Sequence, residues 1–110
     1  MALFAAIGLD PPPNNMEKRD AARTEHRRYL KSNGSQIVFV GPFLDAENNQ
    51  CGSFYIFEAK NEQEVRDWFK AEPFFETGVY KDFVIRRFSA DHNLLPQKDA
   101  WGPGTLLSRY

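Results

Sequence analysis

The stretch from Glu17 to Pro42 constrains the fold most, because it combines a charged helix pattern with an apolar strand pattern. Its first part has apolar side chains at three- and four-residue steps, which predicts an amphipathic helix over 16–32. Asn33-Gly34 favours a helix end, because glycine adopts the left-handed conformation at little cost. The apolar residues 36–40 are of strand length, and we expect Gly41-Pro42 to end that strand.

The rest of the chain completes an alternating order of strands and helices. Asn61 and Glu64 have capping-box spacing and predict the start of a second helix, which should end at Glu72-Pro73 because the residue before proline disfavours helix. Further segments of strand length, rich in apolar or aromatic residues, occupy 2–9, 53–59 and 79–88. The order β-α-β-β-α-β predicts an α+β, ferredoxin-like fold, with two helices on one face of a four-stranded antiparallel sheet.

The predicted strands are apolar on both faces. Since side chains alternate along a strand, Ile37 and Phe39 should point to one side of the sheet. Val38 and Val40 should then point to the other side. The sequence contains no third helix pattern to cover the second face, so we expect another copy of the chain to cover it in a homodimer.

Composition narrows the function classes. The chain has 110 residues, which fits one domain, and its formal net charge is -1. This balance argues against binding of nucleic acid or of an anionic membrane. Cys51 is the single cysteine, which favours a reducing compartment, and no apolar run reaches membrane-spanning length. We therefore expect a cytoplasmic protein.

His26 is the best-placed candidate for chemistry. A histidine with a carboxylate partner forms a general acid/base unit, because imidazole titrates near neutrality. Arg19 and Arg23, on the same predicted helix, carry the charge needed to bind a substrate anion. Asp45 is a second candidate acid, and Tyr80 a candidate donor to a substrate oxygen. The scattered histidines and carboxylates do not suggest a metal site, and no phosphate-binding loop is evident, so we expect no cofactor.

Each of these residues also has a structural interpretation, and both are kept open. A lone histidine on a half-apolar helix face is often only a hydrogen-bonded structural residue. Arg19 and Arg23 would then be surface partners of Glu17 or Asp20. Glu72 would merely end the second helix.

Three segments resemble the YciI-like (YCII-related) family: EKRDAARTEHRRYL at 17–30, VGPFLD at 40–45 and WFKAEPFFETGVYKDFVIRRF at 68–88. The resemblance covers about residues 3–88 and implies a small dimeric α/β barrel domain with ferredoxin-like topology. It divides the chain into a domain at 1–88 and a C-terminal extension or arm at 89–110. We expect the arm to pack across the dimer.

The resemblance also implies a candidate active site with a His–Asp pair in a cleft of each subunit. The family histidine falls on His26, and the family acid falls on position 72, where this chain has Glu72. Glutamate has one more methylene, so a pair tuned for aspartate would need adjustment. Some family members resemble lyases that remove chloride from chlorinated ring compounds.

Two functional hypotheses follow. The first is a cofactor-independent lyase or isomerase that acts on a small anionic organic molecule, with His26 as general base, Glu72 as its orienting partner and Arg23 as the anion binder. The second is a non-catalytic module that binds a small ligand or a partner. A solvent-reachable pair of His26 and Glu72 favours the enzyme, and a His26 ring packed away from any pocket favours the module.

Overall fold

The computed structural model describes residues 1–11 and 15–89 and confirms the predicted ferredoxin-like architecture. The elements are β1 (Ala2–Leu9), α1 (Met16–Asn33), β2 (Ile37–Leu44), β3 (Gln50–Ala59), α2 (Glu62–Lys70), the short α3 (Pro73–Glu76) and β4 (Asp82–Phe88). The strands form one antiparallel sheet in the order β2-β3-β1-β4. The predicted arm at 89–110 lies, apart from Ser89, outside the described residues.

The core lies between the helices and one face of the sheet. Tyr55 and Phe57 on β3 point into it and meet Trp68 and Phe69 of α2, with ring centroids 5.0 to 5.9 Å apart. Trp68 also joins α2 to α1, because its indole N–H donates to the carbonyl of Asn33 at 2.7 Å. Buried aromatic side chains of this size each contribute about 1.5–3 kcal/mol, so this cluster fixes both helices on the sheet.

The strand β2 continues past Gly41-Pro42, where we expected it to end. It runs to Leu44, and Pro42 lies opposite Ser53 of β3. Because β2 is an edge strand, the N–H that proline lacks is not required by a second neighbouring strand. The predicted strand end was therefore wrong for a reason that depends on strand order.

A β-bulge between Ile37 and Phe39 changes which side chains share a face. Ile37 lies opposite the buried Phe57, whereas Phe39 lies opposite Ile56, which has the reverse orientation. The prediction that Ile37 and Phe39 point to the same side is wrong, because one extra residue at a bulge reverses the alternation.

The other face of the sheet is largely apolar, although the charged Glu58 and Arg86 lie there beside Leu3 and Ala5 of β1, and no helix of the described ranges lies over it. Ile7 in β1 is flanked there by Phe54 and Val84. Phe39 and Phe43 place their ring centroids 6.1 Å from that of Phe54. Val84 on this face remains 44% exposed. In the described ranges, no helix is both long enough and apolar enough to cross a membrane.

Gly8 in β1 allows a close approach by the ring of Tyr80. A Cβ atom added at Gly8 would lie 2.9 Å from three atoms of that ring, which is closer than real Cβ contacts. Tyr80 is buried and its hydroxyl donates to Ser53 Oγ at 2.5 Å, so the ring is held in place. The position therefore excludes a side chain.

Gly8→Ala should destabilise the fold by about 1–3 kcal/mol, because the Tyr80 ring must move away from its hydrogen bond to Ser53. Gly41→Ala is the matched control, since no described atom lies within 4 Å of a Cβ added there. It should change the free energy of unfolding by less than about 0.5 kcal/mol. Because Gly41 lies opposite Phe54 on the outer face of the sheet, both variants are compared at a protein concentration too low for a dimer to form. Urea unfolding measures both, and equal stability of the two variants would contradict the close-packing argument.

Candidate active site

The buried stripe of α1 brings polar side chains into the core. Arg19, Ala22, His26 and Leu30 follow one another at steps of three and four residues and are all buried. His26 Nδ1 lies 2.5 Å from Glu72 Oε1, and neither side chain is exposed. The structure therefore brings together the two residues that were expected to pair, with glutamate in the place of aspartate.

The backbone around Pro73 aims Glu72 at α1. Pro73 occupies the first turn of α3, and the residue before a proline favours an extended backbone, which Glu72 adopts with φ -74° and ψ 128°. Its carbonyl accepts from the N–H groups of Phe75 and Glu76 at 3.0 Å, while its side chain makes no capping bond to α3. The carboxylate is therefore available to His26.

The surroundings disfavour the charged form of His26. Burial lowers the pKa of His26 below its ordinary value of 6.5, although the hydrogen bond to Glu72 and its charge act in the opposite direction. The positive charges of Arg19 and Arg23 lower this pKa further. A neutral ring that donates Nδ1–H to Glu72 carries its lone pair on Nε2, the atom that can accept a proton.

Phe74 holds the plane of the imidazole. Its ring stacks on that of His26 with centroids 3.8 Å apart and planes 2° from parallel. The guanidinium carbon of Arg19 lies 5.0 Å from the centroid of the same Phe74 ring. Phe74 therefore joins the His26–Glu72 pair to a second buried charged group.

That second group is the ion pair of Arg19 and Asp10. Arg19 Nε and Nη2 donate to the two carboxylate oxygens of Asp10 at 2.5 and 3.0 Å, and the Arg19 side chain is fully buried. The interpretation of Arg19 as a surface partner of Glu17 or Asp20 is wrong, because Arg19 lies on the buried stripe of α1. Two of its donors are already bound to Asp10, so its predicted role as a substrate-binding residue remains a prediction.

Arg23 lies at the border between this cluster and solvent. Its Nη2 donates to Gln50 Oε1 at 2.8 Å, and its Nη1 pairs with Asp20, as the structural interpretation expected. The Arg23 side chain is 23% exposed, so it can meet a molecule that arrives from solvent. Gln50 also lies 3.5 Å from Nη1 of Arg19, which places the two arginines beside one amide.

Tyr80 and Asp45 differ in their relation to the pair. The Tyr80 hydroxyl lies 3.3 Å from that of Tyr55, and its ring meets Phe74 edge-on at 5.8 Å, so Tyr80 belongs to the wall of the cluster. Asp45 Oδ1 instead accepts from the N–H groups of Glu47 and Asn49, both at 2.9 Å, and closes the β2–β3 hairpin. The described hydrogen bonds of Asp45 do not connect it to His26.

Sequence reasoning missed Asp10, Gln50 and Ser53. Asp10 lies between the predicted first strand and a run of prolines, and the sequence assigned it no role in the site. Ser53 enters the cluster because β3 places it opposite Gly8, and its hydroxyl lies 3.4 Å from Arg19 Nη2. Only the strand register reveals such a position, so no local sequence signal was available.

A groove of about 540 Å³ between α1 and α3 lies close to the pair. Its lining includes Ala22, one turn before His26, and Pro73, which follows Glu72 directly. Lys18, Glu25 and Glu76 add charge to the same groove. Among the described residues, no group of three histidine, cysteine or acidic side chains is arranged to hold a metal ion.

The fold and the buried pair define a small ferredoxin-like α/β protein with a histidine–carboxylate unit beneath its helices. The model of the YCII-related domain matches residues 3–89, and the chain belongs to that family, as its motifs predicted. An uncharacterised protein of Haemophilus influenzae is 34% identical over an alignment of 94 residues, and the match covers 78% of this chain and 96% of the relative.

A similar solved structure is that of 5-chloro-2-hydroxyhydroquinone dehydrochlorinase from Burkholderia phenoliruptrix, in complex with 2,5-dihydroxybenzoquinone. The two chains are 27% identical, with a TM-score of 0.72. The similarity covers 79% of this chain and 93% of the dehydrochlorinase.

The titration of His26 tests the electrostatics of the site. Its midpoint should lie below 6.5, because burial outweighs the Glu72 contact. Unfolded chains then bind the proton more readily than folded ones, so the free energy of unfolding should fall as the pH drops below about 6.5. NMR of the imidazole resonances measures the midpoint, and His92→Gln assigns the two histidines. A His26 midpoint at or above 6.5 would show that the carboxylate dominates instead.

Proposed function

We propose that this protein is a cofactor-independent lyase or isomerase that uses His26 as a general base on a small organic anion. The observation that carries the proposal is the 2.5 Å contact between His26 Nδ1 and Glu72 Oε1. The contact is compatible with a tautomer in which Nδ1–H donates to the carboxylate, and Nε2 would then be the base. The similarity to a dehydrochlorinase, at 27% identity and a TM-score of 0.72, supports the lyase class.

The proposed reaction begins with proton transfer to His26 Nε2 from a substrate carbon next to a carbonyl group, which in a hydroxylated ring is the sp³ ring carbon of its keto tautomer. The electron pair of the broken C–H bond forms an enolate. In a lyase, this pair then expels a leaving group such as chloride, which departs with its own bonding pair. In an isomerase, the proton returns to a different carbon. Neither reaction involves a net oxidation or reduction, so neither requires an electron carrier.

Glu72 and Arg23 have distinct roles in this proposal. Glu72 holds the Nδ1 proton and stabilises the imidazolium that forms during the reaction, which is the usual function of a carboxylate behind a catalytic histidine. Its longer arm still reaches Nδ1 at 2.5 Å, which supports a functional pair despite the change from aspartate. Arg23, with its partly exposed guanidinium, would bind the anionic group of the substrate.

His26→Gln should reduce kcat by at least about 100-fold on any substrate found, because general base catalysis contributes about 10²–10⁴-fold. The screen begins with chlorinated hydroxyhydroquinones and extends to chlorinated ring acids and lactones. His92→Gln is the control, since it removes the only other histidine. Turnover that survives unchanged in His26→Gln would exclude His26 from the mechanism.

The complete burial of His26 and Glu72 favours a second candidate function. A pair without solvent access would serve to fix α1 against the α2–α3 junction of a non-catalytic binding module. The two functions differ in what a ligand does at the site. Ring compounds that bind without being converted would favour the module, whereas product formation would favour the enzyme.

We further propose that the chain forms a homodimer through the apolar face of its sheet. Val84 and Phe88 lie on this face and are 44% and 41% exposed. Face-to-face packing of two sheets would remove this surface from water. The division into a domain at 1–88 and an arm at 89–110 also remains a proposal, and the family match ends at residue 89.

Light scattering at micromolar concentration should give twice the chain mass of 12.7 kDa. Val84→Lys should reduce the mass to that of one chain, because a charge would be buried without a partner in the interface. Ala71→Lys, an exposed position at the end of α2, should leave the mass unchanged. A monomeric wild-type protein would exclude the homodimer.

A further inference from the structure

The second carboxylate oxygen of Glu72 has a function still to be assigned. Oε1 is bound to His26, whereas Oε2 is buried and has no hydrogen-bond donor within residues 1–11 and 15–89. A buried carboxylate oxygen without a donor is unfavourable by an amount comparable to a lost hydrogen bond. A molecule that supplied a donor at this point would recover that free energy on binding.

We propose that Glu72 Oε2 accepts a hydrogen bond from a hydroxyl group of the ligand, so that the site selects phenolic or enolic rings over the corresponding ethers. This inference rests on the proposed function for the identity of the pocket and adds the chemical class of the molecule it binds. An O–H donor to an ionised oxygen forms one of the shorter and stronger hydrogen bonds. An ether oxygen has no proton to donate and would leave Oε2 unsatisfied.

The charges around the pair orient such a ligand. A ligand carboxylate directed at Glu72 would meet a like charge, so the anionic end must point elsewhere. Arg23 is the arginine at the border with solvent, whereas two donors of the buried Arg19 are occupied by Asp10. The hydroxyl end therefore points inward to Glu72, and the anionic end points outward to Arg23.

The groove between α1 and α3 lies beside the pair without being lined by it, since its lining holds neither His26 nor Glu72. Its volume of about 540 Å³ falls within the range of small-molecule sites, and its lining includes Pro73, the next residue after Glu72. Since the pair itself is closed to solvent, the ligand must separate the neighbouring side chains to reach Oε2.

Calorimetric titration with 2,5-dihydroxybenzoate, whose carboxylate can pair with Arg23, and with its dimethyl ether 2,5-dimethoxybenzoate tests the inference. The wild-type protein should bind the diol about tenfold more tightly than the ether, which corresponds to about 1.4 kcal/mol. In Glu72→Gln, the amide carbonyl must accept Nδ1–H from His26, so the amide NH₂ faces the ligand in place of Oε2. Glu72→Gln should then bind the diol and the ether with about equal affinity.

Glu47→Gln makes the same chemical change at an exposed position of the β2–β3 hairpin and should retain the tenfold preference. Equal affinity of the wild-type protein for diol and ether, a preference that survives in Glu72→Gln, or failure of the diol to bind would each overturn the inference.

A wild-type crystal soaked with 2,5-dihydroxybenzoate gives a second test that needs no variant. We expect a ligand hydroxyl oxygen within hydrogen-bond distance of Oε2. A protein donor at Oε2, or a buried water that the ligand does not displace, would overturn the inference. Because these experiments measure binding alone, they separate this inference from the proposed reaction: His26→Gln with unchanged turnover would refute the reaction while leaving the hydroxyl preference intact.

Discussion

The buried contact between His26 and Glu72 is the interaction on which the rest of the site depends. An ionised carboxylate is costly to remove from water unless hydrogen bonds compensate it, and the removal of one partner from a buried pair typically costs about 3–5 kcal/mol. Both side chains are fully buried, so the protein must hold their two elements in a fixed relation. The helix α1 supplies one member and the junction of α2 and α3 supplies the other. The position of the short α3 therefore determines how Glu72 meets His26.

A second buried ion pair extends this coupling to the sheet. Arg19, two turns before His26, binds Asp10 at the end of β1, and Phe74 lies against both Arg19 and His26. A helix that served only for packing would carry apolar residues at these positions, because buried ion pairs are seldom more stabilising than well-packed apolar side chains. The polar residues on the inner stripe of α1 therefore favour a role beyond stability, and perturbed ionisable groups of this kind cluster at functional sites.

The sequence predicted the parts of this structure that depend on local patterns. The apolar periodicity of 16–32 and the capping pattern at Asn61 were sufficient for the helices, and Glu64 N–H does donate to Asn61 Oδ1 at 3.0 Å. The unpredicted parts depend on neighbours distant in sequence. Pro42 is tolerated because β2 is an edge strand, and the burial of Arg19 follows from its partner Asp10, which no periodicity identifies. A charged residue on a helix is exposed by default, so its burial becomes evident only when the partner is known.

The glutamate at position 72 shows how one methylene links the site to the packing of the helices. With aspartate, the carboxylate would lie closer to the backbone by about 1.5 Å, the length of one carbon–carbon bond. The backbone at Glu72 has little freedom to compensate, because Pro73 favours its extended conformation and its carbonyl is bound by α3. A pair with aspartate would therefore require α1 to lie closer to the α2–α3 junction. The contact at 2.5 Å indicates that in this chain the helix spacing and the side-chain length match. The length of the Glu72 side chain is therefore matched to the packing of the helices around it. The presence of glutamate in place of aspartate does not by itself argue against a working pair.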